Sequence, residues 1–181
     1  MIERLILGVT GGIAAYKSAD LCSRLMKAGV EVQVVMTENA CRFVTPLTFR
    51  TLSRRPVVTS LWETPAWQPE HVALAEWAQA LVVAPCTANF MGKYAAGIAD
   101  DALTTLAISV ECPVMLAPAM NPKMWRQPVV QENAALLQSR GVIFCGPAAG
   151  HVACGADGVG RMADVDDLYA MILNQLGGQK Q

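Results

Sequence analysis

Short apolar runs alternate along the chain with longer segments whose apolar residues recur at helical spacing. The runs are rich in Val, Ile and Leu and predict strands over residues 4–9, 31–36, 80–84, 113–117 and 142–145. Continuous apolar strands are typical of parallel sheets that helices cover on both faces. The pattern therefore predicts an α/β fold with a single doubly wound parallel sheet, Rossmann-like or flavodoxin-like.

The segments between the strands carry the helical spacing. A first helix is predicted over residues 14–28, and it stops at Gly29, where a glycine C-cap is expected. Further helices are predicted over residues 46–53, 88–95, 102–109, 128–140 and 166–176. Residues 57–70, rich in Trp and Pro, and residues 146–161, rich in Gly, are predicted to be irregular. Irregular segments of this length inside a compact domain usually serve a function.

The composition is apolar, since 53% of the 181 residues are hydrophobic and 16% are charged, against about 25% charged in an average protein. A chain of this length is expected to form a single domain over residues 1–181. The apolar surplus has two explanations, a sheet buried on both faces and an additional contact between subunits. Trp77 and the five cysteines other than Cys154 are expected in the core.

Charge and sequence signals exclude several classes of function. The net charge is −1, without the clustered Lys and Arg that binding to nucleic acid or to an anionic membrane requires. No apolar run reaches the roughly 18 residues of a membrane span, and the N-terminus lacks a signal-peptide pattern. The six cysteines include no C-x-x-C pair, so neither a metal site nor a disulfide framework is indicated. We expect a cytoplasmic protein whose partners are small molecules or copies of itself.

A glycine turn follows the first predicted strand. Gly11 and Gly12 allow the backbone to approach a ligand, and the helix that follows directs its N–H groups and positive end towards an anion. Thr10 can add a hydroxyl donor. The spacing matches neither G-x-G-x-x-G nor a Walker loop. This turn alone is therefore compatible with phosphate binding or with a plain tight turn.

The next three strand exits also carry small hydrogen-bonding residues. They hold Thr37-Glu-Asn, Pro85-Cys-Thr-Ala-Asn and Pro118-Ala-Met-Asn. Because ligands of doubly wound sheets bind at the carboxyl ends of the strands, four such exits in succession indicate a mononucleotide site. The donors are neutral and no acidic residue is placed to hold an adenine ribose. These features favour flavin mononucleotide (FMN) over NAD.

Two residues are candidates for proton transfer. His71 lies just before a short apolar segment that leads into the third strand, and histidine exchanges protons near neutral pH. A capping or merely solvated histidine is the alternative. Cys154 lies in a polar, glycine-rich loop, where a cysteine gains little from packing. Reactive cysteines occupy exposed or electropositive surroundings, and Arg161 could supply the charge.

These segments together resemble the flavin-containing cysteine decarboxylases. The resemblance covers nearly the whole chain. Six segments carry it in the right order, which argues strongly against a chance match: residues 8–17, the His71 segment with Trp77, and residues 85–89, 97–103, 118–125 and 153–162.

The resemblance implies FMN as the cofactor and a homotrimer, or an assembly of trimers, as the oligomeric state. FMN is expected at the contacts between subunits, with His71 contributed by the neighbouring subunit. Such contacts would account for the apolar surplus. The residues expected to lie against FMN are Gly11, Gly12, Ile13, Thr37, Asn39, Thr87, Ala88 and Asn89.

The resemblance also assigns the substrate side of the site. Asn121, with Met120 beside it, is expected to recognise the substrate carboxylate. A loop over about residues 146–161, which includes Ala153 and Arg161, is expected to cover the substrate. The Cys154 thiol within this loop is the expected proton donor.

The implied reaction converts phosphopantothenoylcysteine, an intermediate of coenzyme A synthesis, to phosphopantetheine. A cysteine carboxylate has no group that can receive the electron pair left by departing CO2. Oxidation of its thiol with FMN places a C=S group beta to the carboxylate, which accepts that pair, and re-reduction of the enethiol restores the thiol. The implied activity is that of a carboxy-lyase with no net redox change.

Several alternatives share part of this pattern. Peptidyl-cysteine decarboxylases have the flavin, histidine and asparagine features but lack the Ala-Cys-Gly loop. Regulatory flavoproteins of the same fold tend to lose a catalytic residue or to add a long acidic tail. Flavin prenyltransferases share the glycine turn but fit the Pro-x-Met-Asn segment poorly, and a flavodoxin-like electron carrier explains neither His71 nor Cys154.

Overall fold

The computed structural model describes residues 3–62, 70–151 and 157–177. Its central feature is a parallel sheet with the strand order β2-β1-β3-β4-β5. This is the flavodoxin-like order, whose switch point lies between β1 and β3. The predicted doubly wound α/β fold is confirmed. The strands of the sheet are β1 (Arg4–Val9), β2 (Glu31–Met36), β3 (Ala80–Cys86), β4 (Val114–Pro118) and β5 (Ile143–Phe144).

Helices connect the strands and cover both faces of the sheet. An antiparallel pair of short strands, β6 (Ala148–His151) and β7 (Asp157–Arg161), lies outside the main sheet. The helices of the described segments are α1 (Ala15–Lys27), α2 (Glu38–Cys41), α3 (Pro46–Ser53), α4 (Glu70–Trp77), α5 (Ala88–Ala96), α6 (Ala102–Ser109), α7 (Pro122–Trp125), α8 (Pro128–Ser139) and α9 (Val165–Gly177).

Each face of the sheet has its own hydrophobic core, because alternate side chains of every strand point to opposite faces. On one face, Leu7 and Val34 pack with residues of α1, α3 and α9, among them the fully buried Phe49. On the other face, Ile6 and Leu81 pack with residues of α5, α6 and α8. The strands are therefore buried on both sides, which accounts for much of the apolar surplus in the composition.

Most of the predicted elements are present. Strands β1 and β2 and helices α3 and α6 have the predicted bounds, and α1, α5, α8 and α9 agree within one residue at each end. Strand β3 extends to Cys86, two residues further than predicted, and β5 is shorter than its apolar run. These boundary shifts leave the fold unchanged.

One prediction about an irregular segment was wrong. Residues 146–161 were expected to lack regular structure, but β6 and β7 pair within them. In that ladder Gly150 and Gly158 adopt backbone φ angles of 143° and 148°, which favour glycine. Residues 70–77 form helix α4, which was expected only as an apolar segment. The short helices α2 and α7 were also missed, because four residues are too few to show a helical period.

Trp77 was expected in the core, but its side chain is only half-buried. The Arg55 guanidinium carbon lies 4.8 Å from its ring centroid, and the Arg4 guanidinium carbon lies 5.9 Å from it. Trp125 packs partly buried against the second core, Trp62 is 89% exposed, and Trp67 lies outside the described residues. Of the five other cysteines, Cys22, Cys86 and Cys145 are buried as expected, whereas Cys41 and Cys112 are half-buried. Among the described residues, no helix is both long and apolar enough to cross a membrane.

Candidate active site

A cleft of about 920 Å³ lies at the carboxyl ends of β1 to β4. Cavities of roughly 300 to 1,000 Å³ are typical of small-molecule sites. The residues that sequence analysis selected for FMN and substrate binding, as far as they are described, all line this one cleft. They are Thr10, Gly11, Gly12, Ile13, Thr37, Asn39, Thr87, Ala88, Asn89, Met120, Asn121 and Arg161.

Thr10 ties the first strand exit to the third. Its hydroxyl donates a hydrogen bond to the carbonyl oxygen of Pro85 at 2.6 Å and accepts one from the backbone N–H of Thr87 at 3.2 Å. The residue is 2% exposed. In this geometry the hydroxyl donates to Pro85, so Thr10 joins the strand ends beneath the cleft that it lines.

The two glycines of the turn have different reasons to lack a side chain. A Cβ at Gly11 would lie 2.4 Å from Cβ of Asn39, so Gly11 allows the turn to pack against α2. A Cβ at Gly12 would meet only the Thr87 methyl group, at 3.7 Å. The expected open approach for a ligand therefore exists at Gly12, whereas at Gly11 the close neighbour is the protein itself.

Threonines cap the helices that begin at the second and third strand exits. The Thr37 side chain accepts a hydrogen bond from the Ala40 N–H, and the Thr87 side chain accepts one from the Phe90 N–H. The neighbouring helix α1 begins directly after the glycine turn. The first N–H groups of a helix have no partner within the helix, so the positive ends of α1 and α5 face the cleft.

Asn121 stands at the fourth exit, where it caps α7. Its Oδ1 accepts a hydrogen bond from the Lys123 N–H at 2.8 Å, which orients the side-chain amide. Strand β7 packs on this segment, and the Met120 N–H donates to the Gly160 carbonyl oxygen at 2.9 Å. A Cβ at Gly160 would lie 2.5 Å from the Met120 carbonyl oxygen, so only glycine permits this contact.

Charged residues occupy two places on the cleft wall. The Lys93 ammonium lies 2.8 Å from both carboxylate oxygens of Asp100 and 3.8 Å from Asp101. Elsewhere on the wall, Lys17 and Arg161 both lie within ion-pair distance of Asp164, which precedes α9. The hydrogen bond from Lys93 lowers the pKa of the Asp100 carboxyl below its ordinary value. Sequence analysis missed Lys17, Lys93 and Asp100, because neither their order in the chain nor any motif marks them as neighbours.

His71 does not line this cleft within its own chain. It lies on α4, which packs against α6, and its side chain is half-buried. Ala153 and Cys154 lie outside the described residues. The structure therefore brings together the predicted cofactor residues with Met120, Asn121 and Arg161, whereas His71 of the same chain lies elsewhere.

Burial makes the described core thiols poor acids. It raises the pKa of the Cys22 thiol to about 12 and also raises the pKa values of Cys86, Cys112 and Cys145. A thiol that stays protonated is neither a nucleophile nor a metal ligand. These four cysteines behave as small apolar residues.

Comparison with known proteins places this site in a family. The Flavoprotein family matches residues 2–177. The chain belongs to the Flavoprotein family. Within it, the chain is 48% identical over 171 residues to the coenzyme A biosynthesis bifunctional protein CoaBC of Vibrio vulnificus, and 46% identical over 170 residues to CoaBC of Bacillus subtilis. Both alignments cover 93% of this chain and 42% of the relative, so the chain spans less than half the length of these relatives.

Solved structures of the Flavoprotein family have the same fold. An FMN-dependent cysteine decarboxylase, SpaF, superposes with a TM-score of 0.83 at 32% identity, over 96% of this chain and 97% of its own. A cysteine-to-serine mutant of PPC decarboxylase in complex with pantothenoylaminoethenethiol superposes with a TM-score of 0.85 at 29% identity, with the same coverage. The FMN-binding protein AtHal3 gives 0.85 at 28% identity over the whole of both chains.

Proposed function

We propose that the chain is a phosphopantothenoylcysteine decarboxylase that uses FMN and forms phosphopantetheine for coenzyme A synthesis. The observation that carries the proposal is that Asn121 and the turn at Gly12 open on the same cleft. A mononucleotide and a carboxylate can therefore be held side by side. The similarity to CoaBC proteins of coenzyme A biosynthesis and to PPC decarboxylase supports the substrate.

The residues of the cleft fit FMN. The helix starts of α1 and α5 offer backbone N–H groups for a phosphate and for polar ring atoms. Gly12 leaves the approach open, and the cleft is large enough for a flavin beside a second ligand. When bound, FMN supplies a two-electron acceptor from which the electrons can be recovered later in the cycle. The protein then has to hold the substrate, exclude water and move protons.

Asn121 is the proposed anchor of the substrate carboxylate. Its Oδ1 is bound to the Lys123 N–H, so the amide NH2 group is the end that recognises an anion. The neighbouring Met120 is fixed by its backbone bond to Gly160. A neutral donor suits a group that must leave as CO2, because a full positive charge would stabilise the carboxylate ground state more than the departing neutral molecule.

His71 is proposed to act in the cleft of a neighbouring subunit. Ile13 and Tyr16 line the cleft but are 59% and 60% exposed, which leaves an apolar rim around its mouth. Exposed apolar patches usually mark contacts. We assign this rim to another copy of the chain in a homotrimer or an assembly of trimers, with His71 of each copy serving the next.

Cys154 is proposed as the proton donor to the enethiol. The segment that contains it leads directly into β7, which is docked at the Asn121 wall through Gly160. The burial that raises the pKa values of Cys22 and Cys86 makes both of these thiols unsuited to the role. A related PPC decarboxylase carrying a cysteine-to-serine change is known in complex with pantothenoylaminoethenethiol. Ala153 and Arg161 are proposed to hold the substrate beside this thiol.

The cytoplasm is the proposed location of the activity. The five described cysteines are all free thiols, as expected in a reducing compartment.

Release of CO2 from two substrates tests the proposed function. Purified protein is incubated with phosphopantothenoylcysteine and, in parallel, with a peptide that ends in cysteine. We expect CO2 and phosphopantetheine from the first and no turnover of the second. Preferred turnover of the peptide would make the chain a peptidyl-cysteine decarboxylase. Flavin binding without turnover of either would indicate a regulatory flavoprotein.

A further inference from the structure

Lys17 and Arg161, which both line the cleft, share the carboxylate of Asp164. The Lys17 Nζ lies 3.7 Å from one oxygen of Asp164, and the Arg161 Nη2 lies 3.2 Å from the other. The three residues come from α1, from β7 and from the segment before α9, and both cations line the cleft. Two positive charges against one negative charge leave this corner with an excess of positive charge.

Lys17 is placed against the electrostatic preference of its own helix. It lies in the first turn of α1, where the helix dipole favours acidic side chains and disfavours cations. Its side chain is only 18% exposed. Burial and the dipole both oppose a positive charge at this position. An anion in the cleft would offset both costs.

Arg161 has a hydrogen-bonding group that the described residues leave unused. Its Nε is buried, and no described residue accepts a hydrogen bond from it. The guanidinium lies against Gly150 of the paired strand, where a Cβ would be 3.6 Å from Nε. Buried guanidinium N–H groups normally have acceptors. Nε itself is enclosed by the protein, so an oxyanion in the cleft would meet the guanidinium at its remaining donors.

The other cation of the cleft does not offer such a place. Lys93 is bound by both oxygens of Asp100 and is also close to Asp101, so its charge is compensated. The substrate carboxylate is already assigned to the neutral Asn121. The ligand that matches two cations close to a helix start is a dianion.

We infer that Lys17 and Arg161, which share Asp164 as a counterion, form a subsite for a phosphate monoester. This inference rests on the proposed function and deepens it, because the proposed cofactor and the proposed substrate both carry such a group. In either case the guanidinium supplies planar donors and the ammonium supplies a point charge.

The test compares each ligand with its form lacking phosphate. FMN and riboflavin are titrated into chain stripped of flavin, and quenching of flavin fluorescence gives their affinities. KM is measured for phosphopantothenoylcysteine and for pantothenoylcysteine. Lys17→Gln and Arg161→Gln should each reduce the preference for the phosphorylated form about ten- to a hundredfold, the usual effect of losing one charge-assisted hydrogen bond. A reduced preference for FMN over riboflavin would show that the subsite binds the phosphate of FMN. A reduced preference for phosphopantothenoylcysteine over pantothenoylcysteine would show that it binds the phosphate of the substrate.

Three further variants separate binding from folding. Arg24→Gln removes a cation of the same helix that pairs with Asp20 and Asp166 outside the cleft, and it should leave both preferences unchanged. Arg161→Lys, which retains the charge, should retain more of the preference than Arg161→Gln. Asp164→Asn should keep or strengthen the preference, since it removes the competing anion, whereas a purely structural ion-pair cluster would weaken in that variant.

Two outcomes would overturn the subsite. One is a set of folded Lys17 and Arg161 variants with unchanged preference for both phosphorylated ligands. The other is a parent protein that prefers neither phosphorylated form. The proposed function can fail separately, because FMN can be preferred over riboflavin in a protein that releases no CO2.

Discussion

Thr10 and Pro85, which are 75 positions apart in the chain, are joined by a hydrogen bond of 2.6 Å from the Thr10 hydroxyl to the Pro85 carbonyl oxygen. The bond closes the gap between the exits of β1 and β3, at the switch point of the sheet. The same hydroxyl accepts the Thr87 N–H. The contact between these two strand ends at the base of the cleft therefore depends on the buried Thr10 side chain.

Replacement of Thr10 by Val should destabilise the contact between the ends of β1 and β3. The change keeps the shape of the side chain but leaves the Pro85 oxygen and the Thr87 N–H without their partner. The free energy of unfolding should fall by about 1 to 3 kcal/mol, the usual cost of unsatisfied buried groups, and FMN affinity should fall with it. Thr51→Val is the control, because the Thr51 hydroxyl bonds to Leu47 on an exposed helix face. Chemical denaturation of both variants measures the difference, and equal losses would contradict this role of Thr10.

The two glycines of the turn should respond differently to alanine. Gly11→Ala places a methyl group 2.4 Å from the Asn39 Cβ, so the turn and α2 must move apart and the protein should be destabilised. Gly12→Ala adds a methyl group next to Thr87 at an ordinary contact distance, so stability should change little. The Gly12 variant should nevertheless bind FMN more weakly, because the methyl group reduces the space in the cleft. Thermal unfolding and flavin titration separate the two effects; unaltered FMN binding by a folded Gly12→Ala protein would place the cofactor elsewhere.

Mixed oligomers test whether His71 serves a neighbouring subunit. Asn121→Asp should abolish turnover and keep FMN, because Asp is as good a helix cap as Asn but repels a carboxylate. His71→Asn should also abolish turnover, since it removes a group that exchanges protons near neutral pH. When the two inactive proteins are mixed, dissociated and reassembled, some sites combine an intact Asn121 with an intact His71 from the next subunit. Activity should reappear only after mixing. Its absence in mixed oligomers of confirmed composition would mean that both residues act within one chain.

Cys154→Ser should separate the two halves of the reaction. If the thiol protonates the enethiol, it is not needed for thiol oxidation or for CO2 release. A hydroxyl is a much weaker acid than a thiol, whose ordinary pKa is about 8.5, so the last step should stop. The variant should release CO2 once per site and accumulate a product that is lighter than phosphopantetheine by the mass of a hydrogen molecule. Mass spectrometry identifies this product, and normal formation of phosphopantetheine would exclude the donor role.

The buried thiols predict a loss of stability in alkali. Burial raises the pKa of Cys22 from 9.0 to about 12, so between these values the folded chain retains a proton that the unfolded chain loses. The contribution is fully present below pH 9 and is lost as the pH rises through this window. The free energy of unfolding should fall by about 1.4 kcal/mol per pH unit for each such thiol. Denaturation in a pH series should show a shallower slope for Cys22→Ala than for the parent, and equal slopes would contradict the shift.

The fold follows closely from the apolar pattern, because strands buried on both faces and helices with one apolar face leave a strong signal. The grouping of the proposed FMN residues in one cleft could be predicted because they follow directly after strands, and the carboxyl ends of parallel strands meet at one edge. Thr10 shows the limit of this reasoning. The sequence places its hydroxyl at the cleft, but only the structure shows that the hydroxyl donates a hydrogen bond to the Pro85 carbonyl oxygen.

Residues that meet through tertiary packing were not predictable. Lys17 and Arg161 are distant in sequence and both lie within ion-pair distance of Asp164. The pairing of β6 with β7 depends on glycines that the sequence also allows in an irregular loop. His71 does not line the cleft of its own chain, so the role proposed for it requires a neighbouring subunit.

The cleft is built in two different ways, and this affects how it can change. On the side of β1 to β3, the groups available to a ligand are largely backbone groups near Gly12, Thr37 and Thr87. On the side of β4 and β7, they are the side chains of Asn121 and Arg161. Substitutions on the second side can alter substrate preference without disturbing the first. New specificities for other cysteine carboxylates should therefore be accessible to directed evolution through residues 119–125 and 157–159, with the residues proposed to hold the cofactor unchanged.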